Sequence, residues 1–116
     1  MAQLVKSWDF TDWETMIVAL DKDRIVGFAS IMKTDYYPLP DIFPWVSSIF
    51  VTEDMRGNRI SEKLIDYANE YLKAQNFDRS YIPSEFFGLY EKYGYTYVKD
   101  ILNYGDELDH LFVKTF

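Results

Sequence analysis

The sequence predicts a mixed α/β domain built on one sheet, and three observations carry that expectation. Short apolar, β-branched runs alternate with turn residues along most of the chain. One longer segment, from Ile60 to Lys73, instead repeats its apolar residues at helical spacing. No internal repeat, low-complexity stretch or Gly/Ser linker divides the 116 residues, so a single domain spanning 1–116 is expected.

Taken in order, "ETMIVAL" (Glu14 to Leu20) reads as a strand, "DKDR" as its turn, and "IVGFASIMK" (Ile25 to Lys33) as the second arm of a hairpin. "TDYYPLPDIFP" holds three of the four prolines and reads as an irregular loop. "WVSSIFV" (Trp45 to Val51) is a third strand. In the helix that follows, Ile60, Leu64, Ile65, Ala68, Tyr71 and Leu72 form the apolar stripe. Glu62, Lys63, Asp66, Asn69, Glu70 and Lys73 take the other side. Asn58 is the expected N-cap, and "QNF" after Ala74 the stop. "DRSYIPS" reads as a short strand and "EFFGLYEKYG" as a short helix closed by Gly94. "YTYVKDILNY" and "HLFVKTF" make a final strand pair around "GDELD", giving the order β-β-β-α-β-α-β-β.

Composition excludes several functions. There is no cysteine, which removes disulfides, thiol catalysis and Cys-based metal sites, and the only histidine is His110. A His-dependent triad and a multi-His metal centre are therefore not expected, and His110 reads as a structural residue of the last strand. A net charge of −7 argues against a nucleic-acid surface, because affinity for the phosphate backbone comes from Lys and Arg. The acidic balance suits a cationic partner such as an amine, and it is equally an ordinary route to solubility. No apolar run approaches the roughly 18–20 residues of a membrane span. The N-terminus lacks a signal-peptide apolar region, so the expected location is cytoplasmic.

Against that acidic background the turn "RGNRIS" is conspicuous. Arg56, Gly57, Asn58, Arg59, Ile60 and Ser61 lie between a strand and the mouth of a helix. Free backbone N–H groups at a helix N-terminus, joined by guanidinium groups, make a seat for phosphate. Gly57 lets the backbone approach closely or take positive φ.

These residues, with the later "LYEKYGY" (Leu89 to Tyr95), resemble the Gcn5-related N-acetyltransferase (GNAT) family. That family carries Gln/Arg-x-x-Gly-x-Gly/Ala before its main helix and a Leu-Tyr-Glu-Lys-x-Gly-Phe-like segment further on. The resemblance runs from about Met16 to the C-terminus. It implies an acyl-CoA N-acyltransferase fold in which two neighbouring parallel strands splay apart around the pantetheine arm of acetyl-CoA. Ile49, Phe50 and Val51 would pair with that arm. The turn from Arg56 to Ser61 would seat the pyrophosphate, with Tyr93 beside it. The resemblance makes Tyr90 the acid that protonates the departing thiolate, and it places a carbonyl-binding backbone N–H near Phe50 or Val51. Asp41 and Glu85 are candidates for the base, with a water chain as the alternative. Asp35, Tyr36 and Tyr37 are candidates for an acceptor pocket or for packing.

The chain also departs from the family pattern. Arg59 stands where the first motif glycine is usual, so its side chain either points away from the phosphates or lays its guanidinium on them. Ser61 replaces the last Gly/Ala, Ser84 an Asn often found six residues before the tyrosine, and Phe87 a small residue. Only about a dozen residues precede "ETMIVAL", so the form is expected to be shortened, without the family's usual N-terminal strand and helices. Trp8, Phe10 and Trp13 would then cover apolar surface beside the cofactor, or a second copy would, as a homodimer. Two readings follow. One is an acetyl-CoA-dependent N-acetyltransferase acting on a small-molecule or peptide amine in a ternary complex. The other is a non-catalytic acyl-CoA-binding module, favoured by the shortening and the unassigned base.

Overall fold

The computed structural model describes residues 3–116, apart from the side chains of Ser7 and Trp8. Seven strands form one mixed sheet: β1 (Gln3–Asp9), β2 (Thr15–Asp21), β3 (Arg24–Met32), β4 (Trp45–Val51), β5 (Arg79–Ser84), β6 (Thr96–Leu102) and β7 (Leu108–Thr115). Their spatial order is β1-β2-β3-β4-β5-β7-β6. One helix, α1 (Ile60–Ala74), crosses from β4 to β5 and makes that pair parallel, whereas every other neighbouring pair is antiparallel.

Strand β1 corrects the expectation that the N-terminal strand is missing. Gln3–Asp9 pairs antiparallel with β2, and only residues 10–14 connect the two. Two features hide the strand in the sequence. It lies at the sheet edge, where one face carries polar residues such as Lys6, and an irregularity between Lys6 and Trp8 breaks the alternation. The aromatic residues of this region also sit elsewhere than expected. Trp13 packs edge-on against Phe77 at 4.8 Å, and its carbonyl accepts a 2.8 Å hydrogen bond from the Tyr71 hydroxyl. It therefore closes the C-terminal end of α1, away from the RGNRIS turn, while Phe10 is half exposed. The side chain of Trp8 lies outside the described residues.

The two sheet faces bury different layers, as the period-2 alternation of strands requires. Ile17, Val26, Ile31, Val46, Ile82 and Phe112 face α1, which contributes Ile60, Leu64, Ile65, Ala68 and Leu72. On the opposite face Trp45, Ile101 and Leu111 are covered by Tyr37, with Leu39 and Ile42, from the proline-rich loop.

Two helical expectations change. The N-cap is Arg59 and not Asn58, whose side chain donates instead to the Met55 carbonyl at 3.0 Å. The second helix contracts to a single 3-10 turn at Tyr90–Tyr93. Gly88, at φ +103°, breaks the segment before it, and its N–H is taken by the Glu91 carboxylate at 3.0 Å. Gly94 ends the turn in the left-handed region, as its position suggested.

Asn69 falls on the polar side of the helical pattern, yet it is buried. It accepts from the Ser80 hydroxyl at 2.7 Å and donates to the Tyr95 hydroxyl at 3.1 Å, while Ser80 and Tyr95 share a 2.6 Å contact. The triad ties α1, β5 and the segment after the 3-10 turn through groups that would otherwise be buried without partners. Tyr95→Phe is expected to cost about 1–3 kcal/mol, because it strips a partner from two buried polar groups. A chemical denaturation midpoint that stays at the wild-type value would contradict this.

A close approach also fixes β3 against β4. A Cβ on Gly27 would lie 2.8 Å from the Phe50 carbonyl oxygen. Gly27→Ala is expected to push β4 and lose about 1–3 kcal/mol, read as a lowered Tm.

Candidate functional site

Strand β4 is irregular where the chemistry is expected. Register pairs run Ser30↔Ser47 and then Phe28↔Phe50, so Ser48 and Ile49 together oppose Ala29. This is a β-bulge, and Ser48 adopts φ +51° within it. On its other side β4 separates from β5. Trp45↔Tyr81 is their single register pair, supported by the Tyr81 N–H donating to the Pro44 carbonyl at 2.9 Å. Beyond it the facing edges carry no ladder, which leaves unpaired backbone groups along a wedge between the two strands. Ile49 and Val51 pack in part against the core at this edge, while Phe50 is exposed and stacks on Phe28 at 5.4 Å.

The wedge leads into the RGNRIS turn through a short 3-10 turn, Glu53–Met55. Here Arg24 clamps Asp54 through both guanidinium nitrogens, at 2.6 and 3.4 Å. That contact holds the Asp54 carboxyl below the usual carboxylate range, so the clamp persists through that range and is lost only on acidification below it. Gly57 takes φ +86° with open space where a Cβ would stand. Arg59 takes φ +60°, ψ 27°, the left-handed conformation that a glycine adopts freely and other residues at a cost. The first intrahelical bond is Lys63 N–H to the Arg59 carbonyl, so the amides of Ile60, Ser61 and Glu62 have no intrahelical acceptor.

A cavity of about 280 Å³ opens at this point, lined by Val51, Met55, Arg56, Gly57, Arg59, Ile60, Ser61 and Tyr93. Seven of the residues assigned to the cofactor from sequence are in that wall. Asn58 turns its side chain back to Met55, and Ile49 and Phe50 lie farther up β4. Among the described residues Arg56 makes no ion pair. Arg59 has only Glu62, at 3.6 Å, with its side chain 78% exposed. Two guanidinium groups thus share the rim of one cavity, and one of them reaches Glu62 in the first turn of α1. The Ser61 and Tyr93 hydroxyls lie 3.1 Å apart across it, which joins the helix mouth to the 3-10 turn of the later motif.

Tyr90 sits in that same turn, half buried, with the rings of Tyr93, Tyr95 and Phe112 at 6.3–6.4 Å. Burial, reinforced by the neighbouring Tyr93, raises its pKa above that of a free phenol. A group held protonated in this way can give a proton at neutral pH and is a poor base.

Of the candidate bases, Asp41 is exposed on the proline-rich loop and lines neither this cavity nor the one opposite. Glu85, also exposed, follows β5 and is near enough to Tyr37 to act on its ionisation. Asp35, Tyr36 and Tyr37 divide: Asp35 and Tyr37 line a second cavity of about 470 Å³ with Tyr104, and Tyr36 packs at 5.7 Å against the Tyr104 ring. Asp109 escaped the sequence reading altogether. It is 8% exposed and accepts from the Tyr37 hydroxyl at 2.7 Å and Asn103 at 3.1 Å. A single Asp at the start of an apolar strand run, in "ELDHLF", is the signal available.

Comparison with known proteins agrees with this arrangement. A family model described as an acetyltransferase (GNAT) domain matches residues 12–97. No curated protein matches. A GNAT family acetyltransferase from Elizabethkingia anophelis with acetyl-CoA bound superposes with a TM-score of 0.74 at 13% identity, covering 99% of this chain and 98% of that one. A Bacillus subtilis acetyltransferase in complex with CoA gives 0.72 at 13% identity, covering 100% and 99%. The aminoglycoside 6'-N-acetyltransferase from Enterococcus faecium gives 0.72 at 18% identity, covering 91% and 76%. At such identities the structures speak for the fold, whereas the family model spans most of the chain. The chain belongs to the GNAT family.

Proposed function

We propose that this protein is an acetyl-CoA-dependent N-acetyltransferase acting on a primary amine in a ternary complex. The observation that carries the reading is the unpaired wedge between β4 and β5 running straight into the arginine-rimmed cavity. An extended arm of alternating polar groups fits the first, and a pyrophosphate fits the second. The residues present therefore suit acetyl-CoA, which would supply the acetyl group as a thioester.

Arg56, Arg59 and the free amides at the start of α1 hold the phosphates at the positive end of the helix dipole. The backbone of Ile49, Phe50 and Val51 orients the arm along the wedge. The bulge at Ser48–Ile49 turns a backbone N–H out of the ladder, which is the kind of donor a polarised carbonyl requires. Tyr90 keeps its proton at neutral pH and delivers it to the leaving sulfur. The amine must lose a proton as it reacts, and Glu85 or a water chain is the candidate acceptor.

Three outcomes test this. Calorimetric titration with acetyl-CoA, beside desulfo-CoA and dephospho-CoA, is expected to show saturable binding. No heat at millimolar acetyl-CoA would defeat the reading. Tyr90→Phe is expected to lower kcat strongly and leave acetyl-CoA affinity near wild type. Because the Tyr90 pKa is raised, any alkaline limb that depends on it should lie above the ordinary tyrosine value of about 10. Unchanged turnover in Tyr90→Phe removes it as the acid. Arg59→Gly should separate two effects: relief of the left-handed strain by about 1 kcal/mol, seen as a higher Tm, and acetyl-CoA affinity weakened by about tenfold through loss of a charge-assisted contact. Tighter binding in that variant would show that Arg59 points away from the phosphates.

A further inference from the structure

Transfer to an amine needs a proton acceptor, and one side chain outside the pyrophosphate cavity is arranged for that work. His110, read from the sequence as a structural residue of the last strand, sits on β7 opposite Asp100 of β6 on one side and Ser84 of β5 on the other. Its Nδ1 lies 2.5 Å from Asp100 Oδ1, and the same oxygen accepts from the Tyr97 hydroxyl at 2.9 Å. These contacts, His110 first and Tyr97 second, hold the Asp100 carboxyl below its usual range, so at neutral pH it is a carboxylate. A carboxylate can only accept. The neutral imidazole must therefore carry its proton on Nδ1 and keep a lone pair on Nε2.

The surroundings leave that lone pair free and aim it. Nε2 has no hydrogen-bond partner among the described residues, yet it is not sealed from solvent, and the side chain is 22% exposed. Phe87 stacks on the ring at 3.9 Å and fixes its plane. The two nitrogens of an imidazole point in widely different directions. With Nδ1 aimed at β6, Nε2 looks away from it, to the side on which β5 and the wedge lie. The proposed acid stands on the same face, for Tyr90 packs on Phe112, two residues from His110 along β7. Phe87 lies against Phe112 and His110 alike. About 10 Å, two strand spacings, separates β7 from an arm lying in the wedge, a span that the imidazole covers together with the amine or one water. Glu85, by contrast, makes no hydrogen bond or ion pair among the described residues, and it acts on Tyr37, which covers the opposite face.

We propose that His110, oriented by Asp100, is the base that takes the proton from the attacking amine. The inference rests on the acetyltransferase reading. As the amine nitrogen bonds to the thioester carbon, its proton passes to Nε2, directly or through one water. The C–S bond then breaks, and the departing thiolate takes the Tyr90 proton. The imidazolium is paired with Asp100, and its proton returns to the tyrosinate through solvent, which restores both groups. Among the described residues the titratable groups that meet the imidazole are Asp100 and Tyr97, both of β6, while the loop after β5 contributes the apolar Phe87.

The full chain has one histidine, so every imidazole nitrogen resonance belongs to His110. Nitrogen spectra of the neutral ring are expected to show the proton on Nδ1. Acetyl-CoA should move the Nε2 resonance, whereas adenosine 3′,5′-bisphosphate, which fills only the phosphate end, should leave it in place. His110→Gln should lower kcat for acetylation of benzylamine by about 100-fold, abolish the fall of kcat on the acid side and leave acetyl-CoA affinity unchanged. Asp100→Asn should move the proton to Nε2 and lower kcat as well. A wild-type proton on Nε2, an Nε2 resonance indifferent to bound acetyl-CoA, or wild-type kcat in His110→Gln would each overturn the proposal. Should benzylamine not be turned over, or His110→Gln not fold, the wild-type resonances decide. Failure of acetyl-CoA to bind would defeat the enzymatic reading itself, whereas binding that leaves Nε2 unmoved defeats only the base.

Discussion

Two parallel strands that stop pairing after one register position set the terms for the rest of this molecule. A sheet interior normally holds itself together through its ladder, and β4 and β5 give most of theirs up. The separation persists because other contacts replace the missing bonds. Helix α1 spans the break with Leu64, Ile65, Ala68 and Leu72, all fully buried. Below it, the Asn69–Ser80–Tyr95 triad fastens β5 to the helix by side chains. On the other face Trp45 and Tyr81 keep the closed end shut, under Tyr37 and Leu39. The wedge is thus a built feature, framed by apolar packing on both faces and by a polar rivet at its side.

Backbone strain follows the same geography. Among the described residues five non-glycine positions take positive φ. Lys22, Asn76 and Asp106 do so where chains reverse or the helix ends, positions that favour the left-handed region. Ser48 and Arg59 are different, for one lies inside a strand and the other at a helix mouth, at the two ends of the cleft. Each costs on the order of 1–3 kcal/mol and survives only because its surroundings leave no alternative. The bulge aims the strand edge, and the left-handed arginine aims the first amides of α1.

Much of this was legible in the sequence, and the reasons for the rest are physical. Strands β2 to β4 and helix α1 announce themselves because their burial is one-sided and periodic. Gly57 and its neighbours in the turn, with Tyr93 of the later motif, mark the wall of the cavity in the sequence itself. Strand β1 stayed hidden because an edge strand with a bulge loses its alternation. The second helix was overread, since the apolar spacing of "FFGLY" looks helical until Gly88 takes its left-handed turn. Asn69 and Asp109 were invisible for a shared reason: a lone polar residue in an apolar setting declares its role only through its partners. Those partners, Ser80 and Tyr95 or Tyr37 and Asn103, are distant in the chain.

The connection from β1 to β2 is five residues long and tied at both ends, with Phe10 N–H bonded to the Glu14 carbonyl and the Glu14 carboxylate accepting from Lys33 N–H. A link so short has no hinge. The edge strand is therefore held at one register on β2, and Trp13 within the link stays seated against Phe77 over the C-terminal end of α1.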